Sequence, residues 1–70
     1  MFGKGSLVRS IRSNIICLVV AENKDKKYPH DFETRVLQVV QGDENFTDFP
    51  VGTKYEVQTT AMEKCYIAAK

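Results

Sequence analysis

The chain has 70 residues, of which 43% are hydrophobic and 27% are charged, and its formal net charge is +1. This length predicts one domain over residues 1–70, and this composition excludes a disordered or collagen-like chain. The bases are unevenly placed, since Lys4, Arg9 and Arg12 form a basic arm over residues 1–13 that contains no acid. Three charges are too few for strong phosphate binding, so nucleic acid is not an expected partner.

The basic arm leads into an apolar run at residues 15–21, and two interpretations of this start stay open. As a targeting segment, its removal would leave only 49 residues for the core. As structure, the run is the first strand of the sheet, which we favour. No stretch reaches the roughly 18 apolar residues of a membrane span, so none is predicted.

The residues before this run also allow two structures. Ser6 is suited to cap a short helical turn with Leu7, Ile11 and Ile15 on one face. Alternatively, the segment extends into the first strand. That strand, predicted over residues 14–22, is apolar at consecutive positions, which indicates burial on both faces. The charged segment 22–31 then reads as a loop, and His30 within it is expected to have no catalytic role.

The second half of the chain predicts two further strands and a terminal element. Residues 32–41 form a strand that alternates at first and is then apolar on both sides, as a bent strand does. Residues 54–60 alternate cleanly and predict a half-exposed strand. A turn follows at 61–64, and 65–69 form a fourth strand or a terminal turn. The predicted fold is mainly β: a small antiparallel meander over residues 14–70, either an OB-like curled sheet or a partial barrel, with at most one short helical turn.

The break between the two later strands is the predicted contact surface. It is polar and acidic, but it also carries aromatic residues that fall outside the strand periodicity, and Tyr55 follows on the next strand. The predicted binding residues are Phe46, Phe49, Asp43, Glu44, Asp48 and Tyr55. Asn45 begins an N-x-T pattern and is a candidate glycosylation site for a secreted protein. The acids do not match a calcium loop, so we predict no metal and no cofactor.

The two cysteines, Cys17 and Cys65, lie 48 positions apart, and their spacing leaves two states open. A bridge would close most of the domain and stabilise it by about 4 kcal/mol in the chain-entropy model. Free thiols would instead be small apolar side chains. The bridged state predicts a secreted or extracellular protein, and the free state predicts a cytoplasmic one.

The strand pattern resembles that of netrin-like modules, which are built on an OB barrel and occur in the tissue inhibitors of metalloproteinases. The segments "NIICLVVAENKDK", "FETRVLQVVQGDENF" and "GTKYEVQTTAMEKC" are similar to the first three strands of that family, and the resemblance covers residues 14–68. The chain starts "MFGKG", without the Cys-x-Cys through which those inhibitors chelate zinc. The resemblance therefore implies a protein-binding module without that inhibitory mechanism. A separate similarity of "LQVVQG" to a cystatin loop lacks the preceding helix of that family.

These patterns predict a protein that is not an enzyme. We expect a protein-binding or inhibitory module that acts through a sheet edge and the 43–52 loop, and whose open edge also allows a homodimer. One alternative is a small intracellular regulator, of phage or bacterial type, that occludes a larger protein. Another is an OB-type nucleic-acid binder that uses Arg9, Arg12 or Lys54.

Overall fold

The computed structural model describes residues 2–23 and 33–69, so His30 and the charged loop around it lie outside the described residues. Five strands and one helix make up the described part. The strands are β1 (Leu7–Ser10), β2 (Ile16–Asn23), β3 (Thr34–Gln41), β4 (Lys54–Gln58) and β5 (Tyr66–Ala68), and the helix is α1 (Thr59–Cys65).

All five strands belong to one open antiparallel sheet, whose order is β4-β3-β2-β1-β5. The prediction of a mainly β antiparallel meander or curled sheet is confirmed, with five strands where three or four were expected. The pairing of β2 with β3 shifts register between Ile16 and Cys17 and again between Val19 and Ala21. Such irregularities bend a strand and increase its twist, which matches the bend predicted from the two-sided apolar pattern.

The inner face of the sheet carries the hydrophobic core. Strands β2 and β3 each contribute alternate residues to it, and β1 contributes Val8. The buried apolar side chains are Val8, Ile15, Cys17, Val19, Leu37, Val39 and Met62. Arg35 lies on this same face and is only 2% exposed. Arg35 is therefore on the inner face of β3, and Val36, which is half-buried, is on the outer face.

The outer face of the sheet is less buried than the sequence predicts. Cys17 and Val19 are buried, whereas Ile16, Leu18 and Val20 on the same strand are only half-buried. The prediction that this strand is buried on both faces is wrong for the described residues. A single open sheet has only one face against its core, so its central strands keep their second apolar face toward the outside.

The helical turn considered for residues 6–15 is not formed, and β1 occupies Leu7–Ser10 instead. Val8 lies opposite Cys17 on β2, and its side chain is fully buried in the core. The strand thus extends the sheet within the range described as a basic arm. Gly5, with φ at +93°, turns the chain into it, which a residue with a side chain adopts only at a cost.

Residues 59–65 form α1, where a turn was expected at 61–64 and where the preceding strand was expected to reach Thr60. Ala61, Met62, Glu63 and Lys64 all have high helix propensity. Met62 is buried and packs its side chain against the core. This tertiary contact stabilises a helix too short to form alone. Helix α1 links β4 directly to β5, and these two strands are the opposite edges of the sheet.

Cys17 and Cys65 are free thiols, so the bridged alternative is not formed in this structure. The Cys17 side chain points to the inner face, where its sulfur lies 3.3 Å from the Tyr55 hydroxyl. Cys65 ends α1 and is half-buried. The domain is therefore held together by its sheet and core without the proposed covalent staple.

Candidate functional site

A cleft of about 210 Å³ lies between the 11–15 turn and the 42–53 loop. These two segments adjoin because Ile16, which begins β2, is paired with Gln41, which ends β3. Eight residues line the cleft: Ser10, Arg12, Ser13, Ile15, Phe46, Phe49, Tyr55 and Tyr66. Five of them are apolar or aromatic, and they come from both edge strands as well as from the two loops.

The Asp43 carboxylate fixes the loop against the turn. Its Oδ2 accepts the backbone N–H of Asn14 at 3.0 Å, and its Oδ1 accepts that of Asn45 at 2.9 Å. These two backbone donors favour the charged form and lower the pKa of Asp43. The Asp43 carbonyl also accepts the Phe46 N–H at 2.9 Å, which sets the start of the loop.

The two Phe side chains of the loop form the outer wall of the cleft. Phe46 is 43% exposed and Phe49 is 38% exposed. The rings of Phe49 and Tyr55 meet edge to face, with their centroids 5.6 Å apart and an angle of 60° between their planes. Such a pair contributes about 0.5–1.5 kcal/mol beyond the area it buries, so it holds this wall in place while leaving much of it open to solvent.

A chain of hydrogen bonds runs beneath the cleft from the core to its surface. The Cys17 sulfur is 3.3 Å from the Tyr55 hydroxyl, which is 2.7 Å from the Tyr66 hydroxyl. The second contact joins β4 to β5 and so spans the gap between the two edges of the open sheet. Burial raises the pKa of all three groups, most strongly that of Tyr55, so they are protonated at neutral pH.

The polar side of the cleft comes from the turn between β1 and β2. The Ser10 hydroxyl oxygen accepts the Arg12 N–H at 3.2 Å, and the Ser13 hydroxyl oxygen accepts the Ile15 N–H at 3.3 Å. These contacts give the turn its shape. The Arg12 side chain is exposed and makes no ion pair with any residue that the structure describes.

The structure brings together three of the predicted binding residues, Phe46, Phe49 and Tyr55, in this cleft. Asp43 and Glu44 instead line a neighbouring polar cavity of about 380 Å³, together with Asn45. Asp48 is exposed on the same loop and lines neither space. Asn45 is also exposed, as a glycosylation acceptor must be.

Four lining residues were not predicted as site residues, namely Ser10, Ser13, Ile15 and Tyr66, and Arg12 was named only for the nucleic-acid alternative. Local pattern gives no signal for them, because Ile15 reads as a core residue and Tyr66 as part of a terminal element. Tyr66 reaches the cleft because β5 pairs with β1, and the residues of the 11–15 turn reach it because β2 pairs with β3.

The edge of β4 is a second surface to which the sequence pointed. Thr53 accepts the N–H of Val39 at 2.9 Å, so its backbone faces β3. Since alternate residues of an edge strand turn their backbone groups toward the neighbouring strand, those of Lys54 and Glu56 face away from β3. The Glu56 carboxylate lies on the outer face, where it accepts a hydrogen bond from the Thr34 hydroxyl.

Within residues 2–23 and 33–69, no three His, Cys, Asp or Glu side chains converge as a metal-ion site. The one helix of this part of the chain is too short and too polar to cross a bilayer.

No model of a known protein family matches this chain, no curated protein is significantly similar to it, and no solved structure matches its fold at a significant level.

Proposed function

We propose that this protein is a non-enzymatic binding module whose cleft receives one large apolar side chain of a partner protein. The observation that carries the proposal is the convergence of Phe46, Phe49, Tyr55 and Tyr66 on one open cleft. Aromatic side chains in such clefts supply contact area at a low cost in conformational entropy. If this contact inhibits the partner, it does so by covering the partner's surface around the side chain that enters the cleft.

The volume of the cleft favours a side chain over a whole small molecule. Pockets for small-molecule ligands measure roughly 300–1,000 Å³. This cleft is smaller, at about 210 Å³. An apolar cavity of about 150 Å³ is enough to hold one benzene ring. The space therefore suits a single ring-sized anchor, which is the unit that dominates the energy of many protein interfaces.

The chemistry of the core supports a binding role over a catalytic one. A nucleophilic cysteine has a lowered pKa and partial access to solvent. Cys17 is 0% exposed, and burial raises its pKa. The tyrosines beside it are likewise kept protonated, so their hydroxyls act as hydrogen-bonding groups.

The loop charges bear on the choice between a protein and a nucleic acid. Asp43, Glu44 and Asp48 lie on the loop that carries Phe46 and Phe49, and residues 42–53 contain no base. A nucleic acid lying across this side would bring several phosphate groups close to these acids, which repel them. A partner protein with basic residues beside its anchor is the better match. The netrin-like resemblance is compatible with this role and stays a prediction.

The edge of β4 is the second part of the proposal, with a second copy of this chain as the strand that adds to it. Two β4 strands can pair antiparallel with Lys54 of one copy opposite Glu56 of the other. Because both backbones face outward at these positions, this register forms hydrogen bonds and opposes unlike charges twice.

A titration with a neutral probe tests the cleft. The probe is an acetylated pentapeptide that ends in phenylalanine amide, and the readout is the amide shifts of the isotope-labelled protein. We expect saturable shifts at cleft residues and their loss in Phe49→Ala. Val51→Ala is the matched control, since Val51 is on the same loop, is 66% exposed and does not line the cleft. Equal responses of both variants, or no response of the wild type, would refute the proposal.

Light scattering tests the edge. If two β4 strands pair as described, Lys54→Glu gives a monomer, and the charge swap Lys54→Glu with Glu56→Lys restores the dimer. A monomeric wild-type protein at high micromolar concentration would exclude the dimer and leave the cleft proposal intact.

A further inference from the structure

The polar groups on the cleft wall share one property, which is that they can donate hydrogen bonds to an occupant. The hydroxyl oxygens of Ser10 and Ser13 each accept one backbone N–H group, at 3.2 and 3.3 Å. The proton of each hydroxyl is left to donate. Arg12 carries a guanidinium, which has five N–H donors and no acceptor. No carboxylate is among the residues that line the cleft.

The hydrogen-bond chain beneath the cleft adds a further donor. Cys17, Tyr55 and Tyr66 have three protons and share two hydrogen bonds, so one proton has no partner within the chain. Cys17 is 0% exposed, and buried donors in proteins are nearly always used. If Cys17 donates to Tyr55, the spare proton belongs to a tyrosine hydroxyl. Both Tyr55 and Tyr66 line the cleft, so the spare donor is on the cleft wall whichever of the two hydroxyls carries it.

Resting on the proposed function, we infer that the occupant is the C-terminal residue of a partner chain, with a large apolar side chain in the aromatic part of the cleft and its α-carboxylate on the donors at Ser10, Arg12 and Ser13. Two hydroxyl groups beside the guanidinium of Arg12 complement an acceptor that is negatively charged, and a carboxylate is the commonest such group in proteins. The space holds about one residue. The apolar group and the carboxylate must therefore belong to the same residue, which occurs in a peptide only at its C-terminus.

None of the three acids of the 42–53 loop lines the cleft, so they do not oppose this assignment at close range. Asp43 directs both carboxylate oxygens to the backbone N–H groups of Asn14 and Asn45, and it faces the adjoining cavity. Glu44 lines that same cavity, which Arg12 does not line. The charge inside the cleft is thus that of Arg12, while the acids select basic residues further along the partner chain.

Paired probes test the inference. The first is an acetylated pentapeptide ending in phenylalanine with a free carboxylate, and the second is the same peptide as its amide. At low salt we expect the free acid to bind about 10-fold more tightly, as for a charge-assisted hydrogen bond that is partly exposed to water. Arg12→Gln should remove this preference, so that the acid and the amide bind to the variant with equal affinity. Arg9→Gln, which removes an exposed charge from β1 on the outer face, should retain it.

The outcomes separate this inference from the proposal it rests on. If acid and amide bind equally to the wild type, the carboxylate site is refuted and the apolar cleft survives. If neither binds, the cleft proposal itself fails. If phenylacetate binds as tightly as the pentapeptide acid, the occupant is a free small acid, and the assignment to a chain end is overturned. The same holds if an amidated peptide with an internal phenylalanine followed by aspartate binds equally well.

Discussion

The two ends of the curled sheet differ in what covers the hydrophobic core. At the start of β3, the Arg35 side chain covers the end of the core and makes hydrogen bonds and ion pairs with other residues of the same chain. At the other end of β3, the 42–53 loop leaves aromatic rings exposed around a cleft. Within the described residues, one end is filled from inside, whereas the other has room for a group from outside.

The Arg35 end shows what a completed polar site looks like in this protein. Its Nε donates to the Phe2 carbonyl and its Nη1 to the Thr34 carbonyl, both at 3.1 Å. Glu22 and Glu33 lie 3.3 and 3.7 Å from the same guanidinium. At the cleft end, by contrast, Arg12 has no ion-pair partner among the described residues. The contrast indicates that the Arg35 end contributes mainly to stability and the cleft end mainly to binding.

The largest expected effect is at the Arg35 end. Arg35→Ala removes these polar contacts and the packed stem of a side chain that is 2% exposed, so we expect a loss of about 3 kcal/mol in the free energy of unfolding. Urea denaturation measures it. Arg9→Ala, at an exposed site, should cost less than about 0.5 kcal/mol. Similar losses in both variants would erase the proposed difference between a buried and a solvated arginine.

The next effect is at the tyrosine pair that bridges the sheet edges. Tyr55→Phe breaks both hydrogen bonds of its hydroxyl and should cost about 1–2 kcal/mol. Tyr66→Phe breaks one bond at the surface of the cleft and should cost about half as much. Thermal or urea unfolding compares the two. A larger loss for Tyr66→Phe would mean that the edge contact, rather than the buried link to Cys17, carries the stability.

Alkaline pH tests the same chain without mutation. The folded-state pKa values of Cys17, Tyr55 and Tyr66 are raised above their ordinary values of 9.0 for the thiol and 10.0 for the phenols. The unfolded chain therefore loses these protons first, and stability falls as the pH rises above about 9. We expect a loss of about 1 kcal/mol between pH 8 and pH 10.5, after allowance for partial solvent exposure. The fall should be shallower in Tyr55→Phe, and equal slopes would contradict this assignment.

The effect on stability should also be small at the cleft. Phe49→Ala loses the edge-to-face contact with Tyr55 but starts from a ring that is 38% exposed, so we expect about 1 kcal/mol. Val51→Ala on the same loop should be within about 0.5 kcal/mol. Binding of the aromatic probe should nevertheless be lost in Phe49→Ala alone. A loss of stability as large as that of Arg35→Ala would place Phe49 in the core and weaken the division between the two ends.

The sequence by itself determined the strands that carry their own pattern. Alternation over residues 54–60 and the apolar run at 15–21 were enough for a mainly β fold, because both patterns are local properties of the chain. The same local reading placed Phe46, Phe49 and Tyr55 at a surface. The turn chemistry around Gly42 and Gly52 likewise marked where the strands end, since glycine relaxes the limits on φ.

Only the tertiary structure decided which residues share the site and which face is inside. Tyr66 meets the cleft because β5 pairs with β1, and Arg12 meets the loop because β2 pairs with β3. Both pairings depend on contacts between distant parts of the chain. Arg35 faces inward because the Phe2 carbonyl, Glu22 and Glu33 surround its charge, and these partners come from three separate parts of the sequence. Helix α1 depends in the same way on the burial of Met62. Local propensity has no term for such long-range contacts, and in a domain of 70 residues they set both the orientation of the sheet and the shape of the cleft.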